Sequence, residues 1–194
     1  MSKSDPAASK RERNKTIRWV VTFFIVTIFI SGAISLLSDV IMENSSVFVA
    51  FLILLAIILI GIIFDIIGMA VASADEKPFH SMAARKVPGA QESIALLRNA
   101  ERVSSICNDV VGDICGVVSG SASATIAVQI ISNFDFSWPQ IVSLAMSALA
   151  AGLTVGGKAI GKSFAVNSST AIVHSVGKCI HWLHSLTKPK KKTK

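Results

Sequence analysis

The feature that most constrains this sequence is a nearly continuous run of isoleucine, leucine and valine between Val47 and Ala72. As a helix, these 26 residues extend about 39 Å, which exceeds the roughly 30 Å thickness of a hydrocarbon layer. Apolar runs of this length are typical of transmembrane helices, because a surface helix of a soluble domain keeps one polar face. We therefore expect the chain to fold within a bilayer.

Three further apolar stretches repeat this character, at residues 17–38, 106–131 and 141–160. Hydrophobic residues make up 52% of the 194 residues and charged residues only 16%, which is too apolar for an ordinary soluble domain. The first stretch is longer than the apolar part of a signal peptide, so we expect it to remain as a span. The sequence predicts an all-α integral membrane protein with four transmembrane helices plus a C-terminal amphipathic juxtamembrane helix.

These stretches divide the chain into five parts. We expect a disordered basic N-terminal tail (1–16), an additional N-terminal transmembrane helix (17–38), a three-span domain (47–165) with a cytoplasmic loop (73–105), the amphipathic helix (166–186) and a basic tail (187–194). Within the cytoplasmic loop, apolar spacing predicts a short surface helix at 91–102. Short polar loops at 38–46 and 132–139 connect the remaining spans.

The distribution of lysine and arginine predicts the topology. All 19 of these residues lie at or before Arg18, in the 73–105 loop, or from Lys158 onward, and neither short polar loop has one. Cytoplasmic segments of membrane proteins carry the positive excess. We predict a multi-pass protein of the plasma or bacterial inner membrane with both termini in the cytoplasm.

The basic residues also bear on partners, because the net charge is +7 and the cations cluster at both ends of the chain. These clusters lack interleaved aromatic residues and flank apolar spans, so they favour the lipid bilayer and its anionic headgroups over nucleic acid as the partner. The juxtamembrane helix places Ile172, Val176 and Ile180 on one face, with His174 and Lys178 on another. Such a helix can lie on the membrane surface or pack beneath the bundle, and the sequence leaves both placements open.

The sequence gives no support for an enzyme, since it contains no nucleophile with a base, no phosphate-binding loop and no dinucleotide fingerprint. Its three cysteines, Cys107, Cys115 and Cys179, fall in or beside membrane and cytoplasmic segments, so no disulfide framework is implied. The last predicted helix contains three histidines, His174, His181 and His184. No acid or thiolate lies at metal-binding spacing from them, so we interpret them as surface residues.

Glycines repeat every four residues along the third and fourth spans, a pattern that lets membrane helices approach one another closely. The residues concerned are Gly112, Gly116 and Gly120 on the third span, and Gly152 and Gly156 on the fourth. These faces could meet each other or a second subunit, and we expect a homodimer.

Polar residues inside the spans are the candidates for a functional site, because ionisable groups are costly in a membrane. Because consecutive helices run in opposite directions, five such residues come to a similar depth: Asp65, Asn108, Asp109, Asp113 and Lys158. An unpaired carboxylate at the depth of Asp65 would cost several kcal/mol or stay protonated, so a partner is expected.

Two interpretations of this set remain open. In the first, oxygen atoms of Asp65, Asn108 and Asp113, helped by Ser104 or by backbone carbonyls, hold a hard cation such as Mg²⁺. In the second, Lys158 is itself the cation and forms an internal ion pair that locks the bundle. For Asp109 a simpler role is available, because an acid near a helix N-terminus interacts well with the helix dipole.

Three phrases of the sequence also carry a family resemblance: Phe64-Asp65-Ile66-Ile67-Gly68-Met69-Ala70, Cys107-Asn108-Asp109, and Gly157-Lys158-Ala159-Ile160-Gly161-Lys162 with Ala165-Val166 after it. From about Val47 to Leu183, the chain resembles the transmembrane domain of the CorB/CorC and cyclin-M family of magnesium transport proteins. In that family the corresponding phrases are Phe-Ser-x-x-Glu-x-Ala, Gly-Asn-Asn and Gly-Glu-x-x-Pro-Lys.

The resemblance implies divalent-cation (Mg²⁺/Co²⁺) transport or binding at a buried site in a homodimer, with ligand positions at Asp65, Asn108 and Lys158. Several residues depart from the family phrases: Gly68 stands for the first Glu, Cys107 for Gly, Asp109 for the second Asn, Lys158 for the second Glu, and Gly161 for Pro. We therefore expect a diverged member without the cytoplasmic CBS module. The alternative is a non-transporting membrane scaffold or partner-binding protein, in which Lys158 replaces the ion.

Overall fold

The computed structural model describes residues 6–43, 45–133 and 138–187, whose regular secondary structure is helical throughout. The helices are α1 (Pro6–Glu43), α2 (Val47–Ser73), α3 (Lys77–Ala84), α4 (Ala90–Arg98), α5 (Ala100–Ser105), α6 (Asp113–Asn133), α7 (Pro139–Asn167) and α8 (Ser169–Thr187). A π-helical segment, Ile106–Gly112, joins α5 to α6 without a break.

Four stretches of helix are long and apolar enough to cross a membrane: Val20–Met42, Val47–Ser73, Ala100–Asn133 and Pro139–Asn167. This confirms the predicted all-α class and the four membrane-length helices. The exposed side chains along these helices are large and apolar, as in Phe29, Leu144 and Ile160, and such surfaces fit lipid rather than water. These features support a multi-pass membrane protein.

Helix α1 is longer than predicted at both ends. It begins at Pro6 and continues to Glu43, whereas the sequence predicts a disordered tail over 1–16; residues 1–5 of that tail lie outside the described residues. The alanine, lysine, arginine and glutamate that follow Pro6 are strong helix formers, which explains the extension. The predicted loop at 38–46 is correspondingly short, and Asp39 lies inside the helix.

The predicted loop at 73–105 is largely helical, because it folds into α3, α4 and α5. The surface helix predicted at 91–102 is divided at Asn99 between α4 and α5. The turn between α3 and α4 requires positive φ angles of 56° at Lys86 and 84° at Gly89, which favour glycine and a turn over a continuous helix. This layer packs against one end of the membrane-length helices.

Two clusters of buried side chains hold the fold together. One, with Met42, Leu54 and Ile126 among its members, joins α1, α2 and α6. The other joins α2 to α3, α7 and α8, and it contains the fully buried Phe79 and Val173. Helix α2 contributes to both clusters and is the central helix of the bundle.

Helix α8 packs beneath the bundle along its first half, where Val173 is fully buried. A side chain at Gly177 would collide with the Ser93 hydroxyl and the Gly89 carbonyl, so α8 and α4 lie in close contact. Of the two predicted placements, packing under the bundle therefore holds for this half. Farther along, Trp182 and Leu186 are exposed, and contact of that half with a membrane surface stays a prediction. Residues 188–194 of the predicted basic tail lie outside the described residues.

Candidate functional site

The ammonium group of Lys158 lies at a junction of α2, α6 and α7. Its Nζ atom is 3.6 Å from Asp65 Oδ1 and 3.8 Å from Asp113 Oδ1. It also donates a hydrogen bond to the Gly112 carbonyl oxygen, at 3.4 Å. One cation therefore contacts the second span and the start of the third span from its position on the fourth.

The two carboxylates differ in their exposure, and this difference decides which contact matters more. Asp65 is 6% exposed, whereas the side chain of Asp113 is 74% exposed. A buried anion without a counter-charge is costly, while an exposed ion pair contributes about 0–1 kcal/mol. The contact between Lys158 and Asp65 is therefore the one on which the site depends.

Glycines allow the three helices to come this close. A Cβ atom at Gly112 would lie 3.3 Å from Lys158 Nζ, so a side chain there would crowd the ammonium group. On α7, Gly157 and Gly161 face Ile62 and Ile66 of α2, and a Cβ at Gly161 would come within 2.7 Å of Ile66. The lysine is thus held against Asp65 by a helix contact that leaves no room for larger residues.

Asn108 occupies a second position beside this junction. Its amide lies directly on Gly68, where a Cβ atom would collide with it, and its Nδ2 donates to the Ser104 hydroxyl at 3.3 Å. The amide oxygen, Asn108 Oδ1, is buried and has no hydrogen-bond partner. Most buried polar atoms have a hydrogen-bond partner. An amide oxygen without one is therefore a candidate to coordinate a cation or to accept a hydrogen bond from a bound group.

The π-helical segment explains this placement. It covers Ile106–Gly112. A π-helical turn contains more residues than an α-helical turn, so successive side chains are rotated less about the helix axis. The phase of Asn108 relative to α6 therefore differs from that of a regular helix. Segments of this kind are often found at functional sites in helical proteins.

The structure brings together only part of the predicted site. Asp65, Asp113 and Lys158 form one cluster, and Asn108 with Ser104 forms a neighbouring pair. Asp109 is exposed. In the described part of the chain, no group of three or more histidine, cysteine, aspartate or glutamate residues is arranged to hold a metal ion.

These residues do not fit a resident Mg²⁺ ion as they stand. An ammonium group within 4 Å of both carboxylates supplies the positive charge that the ion would supply, and it would repel a second cation. The unpartnered oxygen of Asn108 is the one feature that favours a cation.

The five glycines predicted to pack against another helix differ in how close they lie to other elements. Only Gly112 of the set comes close to another element, and a Cβ atom at Gly116, Gly120, Gly152 or Gly156 would meet nothing within 4 Å. Within one chain these four positions are not at a close contact, and close packing there against a second subunit stays a prediction. Gly116 and Gly120 instead line an open groove of about 190 Å³ between α6 and α7, and a role for the groove between subunits stays a prediction.

Sequence reasoning missed a polar contact between α1 and α6. The Ser121 and Thr125 hydroxyls each lie 3.4 Å from Asp39 Oδ1 and donate to it. One turn farther along, Gln129 Nε2 donates to the Met42 carbonyl at 2.7 Å. The four-residue spacing of Ser121, Thr125 and Gln129 is a usable signal for this contact, but the sequence predicts that Asp39 lies in a loop.

Two of the histidines of α8, His174 and His181, contact different parts of the 73–105 region. His181 Nδ1 lies 2.8 Å from Glu92 Oε1, and His174 Nε2 lies 3.3 Å from the Pro88 carbonyl oxygen. The hydrogen bond from His181 lowers the pKa of the Glu92 carboxyl below its usual value near 4.5. These contacts fasten α8 to α4 and to the turn before it.

Comparisons of the chain with protein-family models, with curated proteins and with solved structures gave no match. The resemblance to the CorB/CorC and cyclin-M family therefore remains a hypothesis based on three short phrases.

Proposed function

We propose that this protein is a non-transporting membrane scaffold or partner-binding protein of CorB-like descent, in which Lys158 takes the place of the transported ion. It acts without catalysis, through its surfaces. The distribution of lysine and arginine supports a location in the plasma or bacterial inner membrane, with both termini in the cytoplasm and the basic segments near anionic headgroups.

The observation that carries this proposal is the contact of the Lys158 ammonium with Asp65, at 3.6 Å. In a transporter the cation must enter and leave, whereas a lysine side chain is tethered to its helix. A permanent counter-charge neutralises the buried carboxylate and ties α7 to α2, which favours one stable arrangement of the bundle.

The second candidate function is divalent-cation transport or binding, in a homodimer as the resemblance implies. One specific observation favours it: Asn108 Oδ1 is buried beside the Lys158 cluster and lacks a partner. If Lys158 swings away from Asp65, the carboxylates and this amide oxygen together offer the oxygen ligands that Mg²⁺ prefers.

Isothermal titration of the purified protein with Mg²⁺ separates the two functions. We expect no saturable heat from the wild type, and we expect Lys158→Gln to gain Mg²⁺ binding because Asp65 and Asp113 lose their counter-charge. The double variant Lys158→Gln with Asp65→Asn should lose that binding again. Lys162→Gln is the matched control, since it removes an exposed lysine one turn away on the same helix.

Saturable Mg²⁺ binding by the wild type that Asp65→Asn abolishes would contradict the scaffold and support transport. Uptake of Mg²⁺ into liposomes then completes the test. If transport is the function, Asp65→Asn and Asn108→Ala each stop the uptake without unfolding the protein, and unchanged flux removes those residues from the mechanism.

A further inference from the structure

An apolar crevice of about 280 Å³ lies between α1 and the π-helical segment, away from the Lys158 cluster. Its walls are Thr22, Val26, Thr27 and Ile30 on one side, and Ile106 and Val110 on the other. The Thr22 hydroxyl donates a hydrogen bond to the Arg18 carbonyl oxygen of the same helix, at 2.8 Å. The crevice therefore offers an apolar surface without a polar ligand group.

The crevice exists because α1 is attached to the bundle toward its other end. There, Asp39 and Met42 are joined to α6 by hydrogen bonds from Ser121, Thr125 and Gln129. No such polar contact joins the described part of α1 between Arg18 and Ile30 to the rest of the bundle. The two helices run in the same direction, and toward Arg18 the crevice lies between α1 and the π-helical segment that precedes α6, within a membrane-length stretch.

Two arginines precede the residues that line this gap, one on each of the two helical stretches that form its walls. Arg18 precedes Thr22 by four residues on α1, and Arg102 precedes Ile106 by four residues on α5, so each lies about 6 Å, one helical turn, before the crevice. Both are exposed. In the described part of the chain, neither guanidinium forms an ion pair with a carboxylate.

We propose that this crevice is a binding site for one anionic phospholipid. An acyl chain lies between α1 and the π-helical segment, and the phosphate lies between Arg18 and Arg102. The apolar walls match an acyl chain, and a gap inside a bilayer fills with lipid and not with water. Guanidinium groups bind phosphate oxygens through paired charge-assisted hydrogen bonds, which gives the headgroup end its selectivity.

The occupant closes the gap that α1 leaves, so the lipid would serve as a spacer between this helix and the rest of the bundle. This role involves none of the residues around Lys158, and it holds whichever of the two functions is correct. It also differs from general attraction of the basic tails to the membrane, because it places one lipid at two identified arginines.

Native mass spectrometry tests the headgroup. The intact protein, purified in detergent, is mixed with equal amounts of phosphatidylglycerol and phosphatidylcholine that carry the same acyl chains. The wild type should retain one phosphatidylglycerol in preference to phosphatidylcholine. The variant Arg18→Gln/Arg102→Gln should lose this preference, by about fivefold for each guanidinium removed, while Lys162→Gln/Lys178→Gln removes two exposed cations elsewhere and should keep it.

Crevice-filling variants test the acyl chain. Val110→Phe should reduce the retention of both lipids, and Thr27→Phe does the same from the α1 wall if the first variant fails to fold. Val117→Phe is the matched control, because it adds the same bulk on an exposed face of α6.

Three outcomes would each overturn the proposal. These are equal retention of the two lipids by the wild type, a phosphatidylglycerol preference that survives removal of both arginines, and undiminished retention by the crevice-filling variants. A change of oligomeric mass in those variants with unchanged lipid retention would assign the crevice to a second copy instead.

Discussion

Gly68 and Asn108 together determine the shape of the site beside Lys158. The amide lies where a side chain at position 68 would be, and the Cβ atom of Cys107 is also near. The space at residue 68 is thus already occupied by the π-helical segment, and the fold has no freedom to add a methyl group there.

We expect Gly68→Ala to lower the free energy of unfolding by about 1–3 kcal/mol, because overpacking forces a backbone or side-chain shift. Unfolding in detergent micelles by added denaturant measures the change. Gly116→Ala is the matched control: a Cβ atom there meets nothing within 4 Å, so its effect should be neutral or slightly stabilising. The double variant Gly68→Ala/Asn108→Ala should recover part of the loss, and a loss as large as in Gly68→Ala alone would show that the amide is not the obstacle.

Part of this site could be predicted from single residues. The similar depth of Asp65, Asp113 and Lys158 follows from the lengths of the spans and from their alternating direction. The contact of Asn108 with Gly68 could not be predicted, because it depends on a π-helical segment that no residue pattern marks. The sequence does not determine whether a bound ion or Lys158 neutralises the carboxylates, since both interpretations place the same residues at the same depth. The distances between the side chains separate the two.

At the scale of elements, α8 is fastened to α4 by the hydrogen bond between His181 and Glu92, at 2.8 Å. Because the folded protein lowers the pKa of Glu92 below about 4.5, the carboxylate is bound more favourably in the folded state than in the unfolded one. This contribution is complete above the unfolded pKa, and it disappears as the pH falls through the lower, folded value.

We therefore expect Glu92→Gln to lower the melting temperature at pH 6.5, and we expect this deficit to shrink at a second, acidic pH below 4.5, as the wild-type carboxylate gains its proton. His181 is half exposed, so the free-energy difference should not exceed about 1 kcal/mol. Thermal unfolding at both pH values measures it, with Glu101→Gln as the control because Glu101 is exposed on a neighbouring helix. A deficit that is the same at both pH values would mean that the charge of Glu92 does not stabilise this contact.

The long apolar helices could be predicted from the sequence, whereas the ends of α1 and the helices of the 73–105 region could not. Hydrophobic length determines the four membrane-length helices, because only a helix satisfies its backbone inside lipid. The ends of α1 and the division of the 73–105 region were not predicted, since polar residues allow both helix and loop. There, the outcome depends on local features such as the positive φ angle at Gly89 and on burial of Phe79.

At the scale of the whole molecule, the cluster around Lys158 decides whether the bundle is a closed scaffold or a path for ions. The scaffold role depends on one contact, in which the ammonium group of Lys158 neutralises the carboxylate of Asp65, a residue that is 6% exposed. If this contact holds the spans together, the loss of unfolding free energy caused by replacing Lys158 must depend on whether Asp65 is present. If each residue acts alone, the scaffold loses its physical basis.

A double-mutant cycle on the free energy of unfolding tests this dependence most directly. We expect Lys158→Met to destabilise the bundle by about 1–3 kcal/mol, because it leaves the Asp65 carboxylate buried without a counter-charge. Lys158→Met combined with Asp65→Asn should be more stable than the sum of the two single changes by about 0.5–3 kcal/mol. The exposed Asp113→Asn, in the same cycle, should show a smaller coupling. Strictly additive losses for Lys158 and Asp65 would contradict the scaffold role.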